Sequence, residues 1–141
     1  MNTLQYEIML ALDSCVVIET IKNPRFAKKV SGLFTGAHSR VVLQDVVLKE
    51  SERILLMSKE LVVKKIREIL RKEVYVFATT NEMRQSATKM EKQYGICHNP
   101  DSIILAAAKT HSWTLLSIDK GVLRTAEFEG ILAFNPHRGG I

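Results

Sequence analysis

Residues 98–123, which read HNPDSIILAAAKTHSWTLLSIDKGVL, decide the predicted fold, because they join a buried helix to a strand. Asp101 opens a nearly all-apolar run, Ser102 to Ala108, and a helix of that composition must be buried. The run WTLLSI, residues 113–118, has the character of a strand and ends directly before Asp119. A buried helix that leads into a strand is typical of α/β architecture.

The rest of the chain repeats this alternation of short apolar runs and longer helical patterns. Strands are predicted at five places: Ile8 to Leu12, Val41 to Leu43, Val74 to Phe77, Trp113 to Ile118 and Ile131 to Phe134. The segments between them are too long for hairpins and suit the crossover helices that join parallel strands. The pattern predicts a three-layer α/β/α fold with a central parallel sheet of about five short strands.

Two helices have clear start and stop signals. Thr79 and Glu82 match a capping box, and Gly95 ends the helix that follows. Ser58 is expected to cap a second helix, which extends to about Lys72.

This second helix carries a dense cluster of positive charge. Residues 58–73 hold six basic and three acidic side chains, a net charge of +3 in a chain whose total is +5. The charged side is either a solvated helix face or a surface that faces RNA. The RNA-binding candidates on it are Lys64, Lys65, Arg67 and Arg71.

Length and composition predict a single domain over residues 1–141, with a core of about 8–134 and a short tail, 135–141. The chain is 46% hydrophobic and 25% charged, which is typical of a globular protein. No apolar run reaches the 18 or so residues that span a bilayer, and the first residues do not match a signal peptide. We therefore expect a cytoplasmic protein with no membrane contact. The positive net charge favours association with polyanions.

Acidic residues occur at positions where solubility alone does not explain them. Asp13 follows the first predicted strand and Asp119 follows the fourth, and parallel strands end at the same edge of a sheet. Aspartate also caps helices, so one such position alone is weak support for a site. Two of them at one edge support a ligand site.

Asp101 and Glu50 are further candidates. Asn99 can cap the buried helix, with Pro100 at its first position and Asp101 in its first turn, where the helix dipole also favours an acid. At 100° per residue, Glu50 lies within an apolar stripe that includes Val46 and Val47. A carboxylate on a core-facing stripe either belongs to a functional site or forms a salt bridge.

These positions, taken in order, resemble the PIN-domain family of metal-dependent ribonucleases. The resemblance rests on three segments, LALDSCVVIE (10–19), VVLQDVVLKESERI (41–54) and the quoted 98–123, and covers about residues 8–134. It implies that Asp13, Glu50, Asp101 and Asp119 are the metal-binding and catalytic carboxylates. It also implies that the hydroxyls of Ser14 and Ser117 orient them.

The resemblance further implies a Mg²⁺- or Mn²⁺-dependent endoribonuclease similar to the toxins of toxin and antitoxin pairs. Four acids without a His or Cys cluster suit these hard cations. The implied partners are RNA as substrate, a second copy of the chain in a homodimer, and an antitoxin protein. The alternatives are a ribosomal RNA processing nuclease, or an inactive scaffold of the same fold that binds RNA or protein.

The chain departs from the family pattern at two places. Many members carry another acid one to four residues after the last Asp, where this chain has Lys120, Gly121, Val122 and Leu123. The first Asp is followed here by Ser14 and Cys15, where Thr or Thr-Asn is more common. His98 is a further candidate for contacting a phosphate, although an isolated loop histidine usually has no such role.

Other acid-rich or nucleotide-binding folds fit less well. A phosphotransferase of the haloacid dehalogenase type requires a second Asp at the position of Cys15. Dinucleotide and mononucleotide folds require a glycine-rich loop after the first strand, and neither pattern occurs in the sequence. Two cysteines, Cys15 and Cys97, are too few for a disulfide framework.

Overall fold

The computed structural model describes residues 8–34, 39–95 and 99–138, which form helices around one sheet. In chain order the elements are β1 (Ile8–Leu12), α1 (Ser14–Lys22), α2 (Pro24–Ser31), β2 (Ser39–Gln44), α3 (Asp45–Leu55), α4 (Lys59–Leu70), β3 (Val74–Phe77), α5 (Asn81–Tyr94), α6 (Asp101–His111), β4 (Thr114–Leu116), α7 (Lys120–Glu129) and β5 (Ala133–Phe134), followed by a 3₁₀ turn (Pro136–Arg138).

The five strands pair in parallel in the order β3-β2-β1-β4-β5. At the centre, Leu10 of β1 pairs with Val41 of β2 on one side and with Thr114 of β4 on the other. Strands β2 and β3 follow one another on one side of β1, and β4 and β5 follow on the other side. Ligand sites in open α/β sheets lie at this kind of reversal, outside the carboxyl ends of the strands. The predicted parallel α/β fold is confirmed.

The core is formed by strands and helices whose apolar residues are consecutive in sequence. Val41, Val42 and Leu43 of β2 are all fully buried, which means that both faces of this strand are covered. Helices α1 to α4 pack on one another and α5 to α7 form a second group. The apolar residues of α6, 103–108, are buried throughout, as its composition predicts. No helix in the described part of the chain is long and apolar enough to cross a bilayer.

The helix starts differ from the predicted caps at two positions. The hydroxyl of Thr80, one residue later than predicted, caps α5 by accepting from the Met83 N–H. Thr79 instead donates its backbone N–H, at 2.9 Å, and its hydroxyl to the carboxylate of Asp45 at the start of α3. No side chain caps α6, so the expected role of Asn99 is wrong.

Three helices end on a residue other than glycine in the left-handed backbone region. Leu56, Arg71 and Ser112 follow α3, α4 and α6 with φ of 56°, 54° and 57°. Helix α4 ends at Leu70 rather than near Lys72 because Arg71 adopts this conformation. By contrast, α5 and α7 end on Gly95 and Gly130, the residue type that this conformation favours.

We expect Leu115→Ala to lower the free energy of unfolding by about 2–5 kcal/mol, because it removes a completely buried side chain at the centre of the sheet. The measurement is urea unfolding followed by circular dichroism. Leu132→Ala, at a residue that is 59% exposed, is the control. An equal loss in both variants would contradict the packing described above.

Candidate active site

Asp13 lies directly after β1, at the junction between the central strand and α1. Its backbone N–H donates to the carbonyl of Leu116 on β4, at 3.0 Å. Its carboxylate is buried and accepts hydrogen bonds from the Ser14 N–H at 2.8 Å, from the Ser117 hydroxyl at 2.7 Å and from the Cys15 thiol at 3.5 Å. Burial nevertheless dominates and raises the pKa of Asp13 above its ordinary value.

Ser117 connects the ends of the two central strands. While its hydroxyl donates to Asp13, the same oxygen accepts from the backbone N–H of Asp119, at 3.1 Å. Asp119 in turn caps α7 by accepting from the Val122 N–H, at 3.0 Å. One buried hydroxyl therefore fixes the relative placement of two candidate acids.

Glu50 comes from α3 and reaches the same region through Ser14, whose hydroxyl donates to a carboxylate oxygen of Glu50. The predicted position of Glu50 within the apolar stripe needs correction. The buried residues of α3 are Val47, Leu48 and Ser51, so its core-facing side is centred about 100° away from Glu50. Glu50 lies at the margin of the buried side, with 27% of its side chain exposed.

The salt-bridge explanation for Glu50 has little support. Arg53 approaches the Glu50 carboxylate only to 4.0 Å, and 72% of the Arg53 side chain is exposed. Exposed ion pairs at that distance contribute little to stability. The carboxylate of Glu50 is therefore not neutralised by this neighbour.

Asp101 is the first residue of α6 and joins the other three acids electrostatically. Burial, followed by the charges of Asp13, Asp119 and Glu50, raises the pKa of Asp101 to about 7. In the described part of the chain no cation pairs with Asp101. The structure thus brings the four predicted acids close enough that three of them oppose the ionisation of the fourth.

Cys15 is a neighbour of this cluster to which the sequence pattern assigned no role. Its Sγ lies 3.5 Å from Oδ2 of Asp13 and 3.8 Å from the Ser117 hydroxyl. Burial, and then the charge of Asp13, raises the pKa of Cys15 to about 12, so the thiol stays protonated and donates to Asp13. Its position two residues after Asp13, in the first turn of α1, was the available signal.

The donor set fits a hard divalent cation in charge and in atom type. All four side chains offer carboxylate oxygens, and their mutual repulsion is relieved when a cation enters. Among residues 8–34, 39–95 and 99–138, however, no three acidic, histidine or cysteine side chains are already gathered into an ion site.

The structure gives less support to the other residues that the sequence predicts to be functional. Of the four basic candidates, Arg67 of α4 lines a groove together with Lys49 and Lys59. Lys64 of α4 and Arg71, which directly follows the helix, are exposed outside it. Lys65 is half-buried and does not line the groove either. A role of these residues in RNA binding stays a prediction. His98 and Cys97 lie outside the described residues.

Comparison with known proteins supports both the sequence pattern and the fold. A family model of the PIN domain matches residues 10–128. VapBC2 from Rickettsia felis, bound to a DNA fragment from its promoter, is 17% identical, with a TM-score of 0.67, over 91% of this chain and 98% of its own. VapBC-1 from nontypeable Haemophilus influenzae is 15% identical, with a TM-score of 0.67, over 92% and 99%. FitAcB from Neisseria gonorrhoeae is 20% identical, with a TM-score of 0.62, over 92% and 99%. No curated protein matches the chain.

We expect Asp101→Asn to stabilise the metal-free protein, and the gain to grow as the pH rises from 4 toward 7. A carboxyl whose pKa is raised to about 7 by folding favours the folded state only at low pH, and that contribution is lost as the pH passes the folded value. Urea unfolding in EDTA at pH 4.5, 6 and 7.5 measures the difference.

The control is Glu68→Gln, at an exposed residue of α4. The difference in the free energy of unfolding between this variant and the unmodified protein should be the same at all three pH values. A large loss of stability in Asp101→Asn would instead assign Asp101 a structural role.

Proposed function

The chain belongs to the PIN domain family, and from this membership we propose that it is a metal-dependent endoribonuclease of the toxin type. PIN domain nucleases generally use divalent metal ions, and Mg²⁺ or Mn²⁺ suits four carboxylates. The observation that carries the proposal is the shared charge of the cluster. Asp13, Asp119 and Glu50 all act on Asp101, and no cation pairs with it among the described residues.

In the proposed reaction, water attacks the phosphorus of an RNA phosphodiester and the bond to the leaving oxygen breaks. A bound divalent ion supplies charge neutralisation and lowers the pKa of a water molecule. Asp13, Glu50, Asp101 and Asp119 would hold it. Ser117 keeps one oxygen of Asp13 in place through its 2.7 Å hydrogen bond, and Ser14 does the same for Glu50.

Asp101 has a separate part in this proposal. With its pKa raised to about 7, its carboxyl is partly protonated at neutral pH, and it would release that proton as the cation binds. Affinity for the ion should therefore increase with pH through this range. Cys15 would stay protonated and donate to Oδ2 of Asp13.

The toxin type is proposed because the similar structures VapBC2, VapBC-1 and FitAcB are toxin–antitoxin proteins of the same fold. We extend to this chain their association with a second, antitoxin protein, and we propose a homodimer. A ribosomal RNA processing nuclease is the second candidate activity. A small reading frame next to the gene, encoding a protein that inhibits cleavage, would distinguish the two.

We expect the purified protein to cleave structured RNA in Mg²⁺ or Mn²⁺ and to be inactive in EDTA. Asp101→Asn and Asp119→Asn should each reduce the rate at least 100-fold, because each removes a proposed ligand charge. Glu68→Gln is the matched control that removes one acid from the exposed side of α4. Gel analysis of a panel of RNAs measures the rates.

Calorimetric titration with Mn²⁺ separates a nuclease from an inactive scaffold of the same fold. We expect a binding site that disappears in Asp101→Asn and weakens about 10-fold or more in Ser117→Ala, since residues that orient metal ligands commonly contribute this much. A scaffold would show no site that depends on Asp101. Circular dichroism of each variant establishes that it is folded.

A further inference from the structure

A groove beside Asp119 has an excess of positive charge. It is lined by three basic residues, Lys120, Arg124 and Arg138, and by one acidic residue, Glu127, and its volume is about 420 Å³. Ile118 and Lys120, the two neighbours of Asp119 in the chain, are among its lining residues. The groove therefore lies beside Asp119, although none of the four acids lines it.

The three basic side chains have no acidic partner in the described structure. None of them forms an ion pair with residues 8–34, 39–95 or 99–138, and all three are exposed. Glu127 lines the same groove without pairing with any of them. Unpaired positive charge in the groove therefore lies beside the negative charge of the acidic cluster.

A second groove, which is lined by Glu50 of the cluster itself, does not share this property. It is lined by Lys49, Arg53 and Arg84, but equally by Asp45, Glu50 and Glu52. Asp45 and Arg84 interact, since the charge of Arg84 contributes to the lowered pKa of Asp45 alongside the bonds from Thr79. Of these two grooves, the excess positive charge belongs to the one beside Asp119.

The basic residues of the groove come from two parts of the chain, α7 and the turn after β5. Lys120 is the first residue of α7, and Arg124 lies one turn further, so their Cβ atoms are about 5–6 Å apart. Arg138 approaches from the 3₁₀ turn that follows β5. Cations that come from two elements can contact several phosphates along a strand. A single small anion would contact only some of these cations.

We propose that this groove binds the phosphate backbone of the RNA strand next to the bond that is cut. The inference rests on the proposed nuclease activity and adds the surface that holds the substrate. An anionic cleft repels a polyanion, so flanking cations must supply the affinity. Contacts to phosphates position a strand without reading its sequence, and only 6% of the residues are aromatic, which limits base stacking.

The test measures binding of an uncut RNA. The full chain with Asp101→Asn is titrated, in EDTA, into a fluorescein-labelled 12-nucleotide single-stranded RNA, and anisotropy is recorded from 50 to 300 mM salt. Adding Lys120→Gln, Arg124→Gln and Arg138→Gln should weaken binding at least 10-fold. The slope of log affinity against log salt should fall by about 2, since each phosphate contact contributes about 0.7 for single strands.

The matched control removes the same charge elsewhere. Lys22→Gln, Lys89→Gln and Lys92→Gln change three exposed lysines on α1 and α5 that line neither groove. We expect this variant to bind within about 3-fold of its parent, because distant surface charges are screened by salt. Circular dichroism establishes that both triple variants are folded.

Four outcomes would overturn the assignment. These are an equal loss in the matched control, an equal loss on changing Lys64, Arg67 and Arg71 to Gln, no measurable RNA binding, or tighter binding of a polyglutamate peptide than of RNA. Failure of the nuclease proposal is a separate result. Groove-dependent RNA binding without cleavage in Mn²⁺ rejects only the activity, whereas normal cleavage with an unchanged KM in the groove variant rejects only the groove.

Discussion

The hydrogen bond from Ser117 to Asp13 is the contact on which the candidate site depends. It joins the carboxyl ends of β1 and β4, which are neighbours only because the sheet reverses its direction of growth between them. Pairing of β1 with β4 sets the separation of the Asp13 and Asp119 backbones, and the same hydroxyl, by accepting from the N–H of Asp119, links that residue to the Asp13 carboxylate. Strands that pair in parallel thus convert two distant aspartates into neighbours.

The electrostatics follow from that geometry. Burial and three nearby carboxylates disfavour the charged form of Asp101, so the cluster costs the folded protein free energy in the absence of a cation. Sites of this kind commonly trade stability for function. The groove beside Asp119 has an excess of basic residues. Their positive charge would offset the repulsion between the cluster and an approaching polyanion.

Much of the fold could be predicted from sequence, because each strand contains an uninterrupted apolar run. The ends of strands were less predictable: β2 includes Ser39 and Gln44, polar residues that are buried in the structure. The cap of α5 was displaced by one residue because Thr79 is bound by Asp45, which lies 34 positions earlier. A local pattern contains no information on such a partner.

The candidate site, too, could be predicted from the sequence only in part. Asp13, Asp119 and Asp101 could be identified from their positions after strands and at the start of a helix, and Glu50 from the family resemblance. The orientation of Glu50 could not, because Ser51 lies on the buried side of α3 through a hydrogen bond to the carbonyl of Val47. The contact of Cys15 with Asp13, and a groove built from α7 and the turn after β5, depend on tertiary packing.

The left-handed ends of α3, α4 and α6 have a consequence for protein engineering. Most residues with a Cβ are disfavoured in that conformation, whereas glycine adopts it freely and asparagine tolerates it. Leu56 is 89% exposed, so its side chain gains little from packing that would offset this cost. Replacing Leu56 by glycine or asparagine would therefore stabilise the chain at an exposed position that is not one of the candidate site residues.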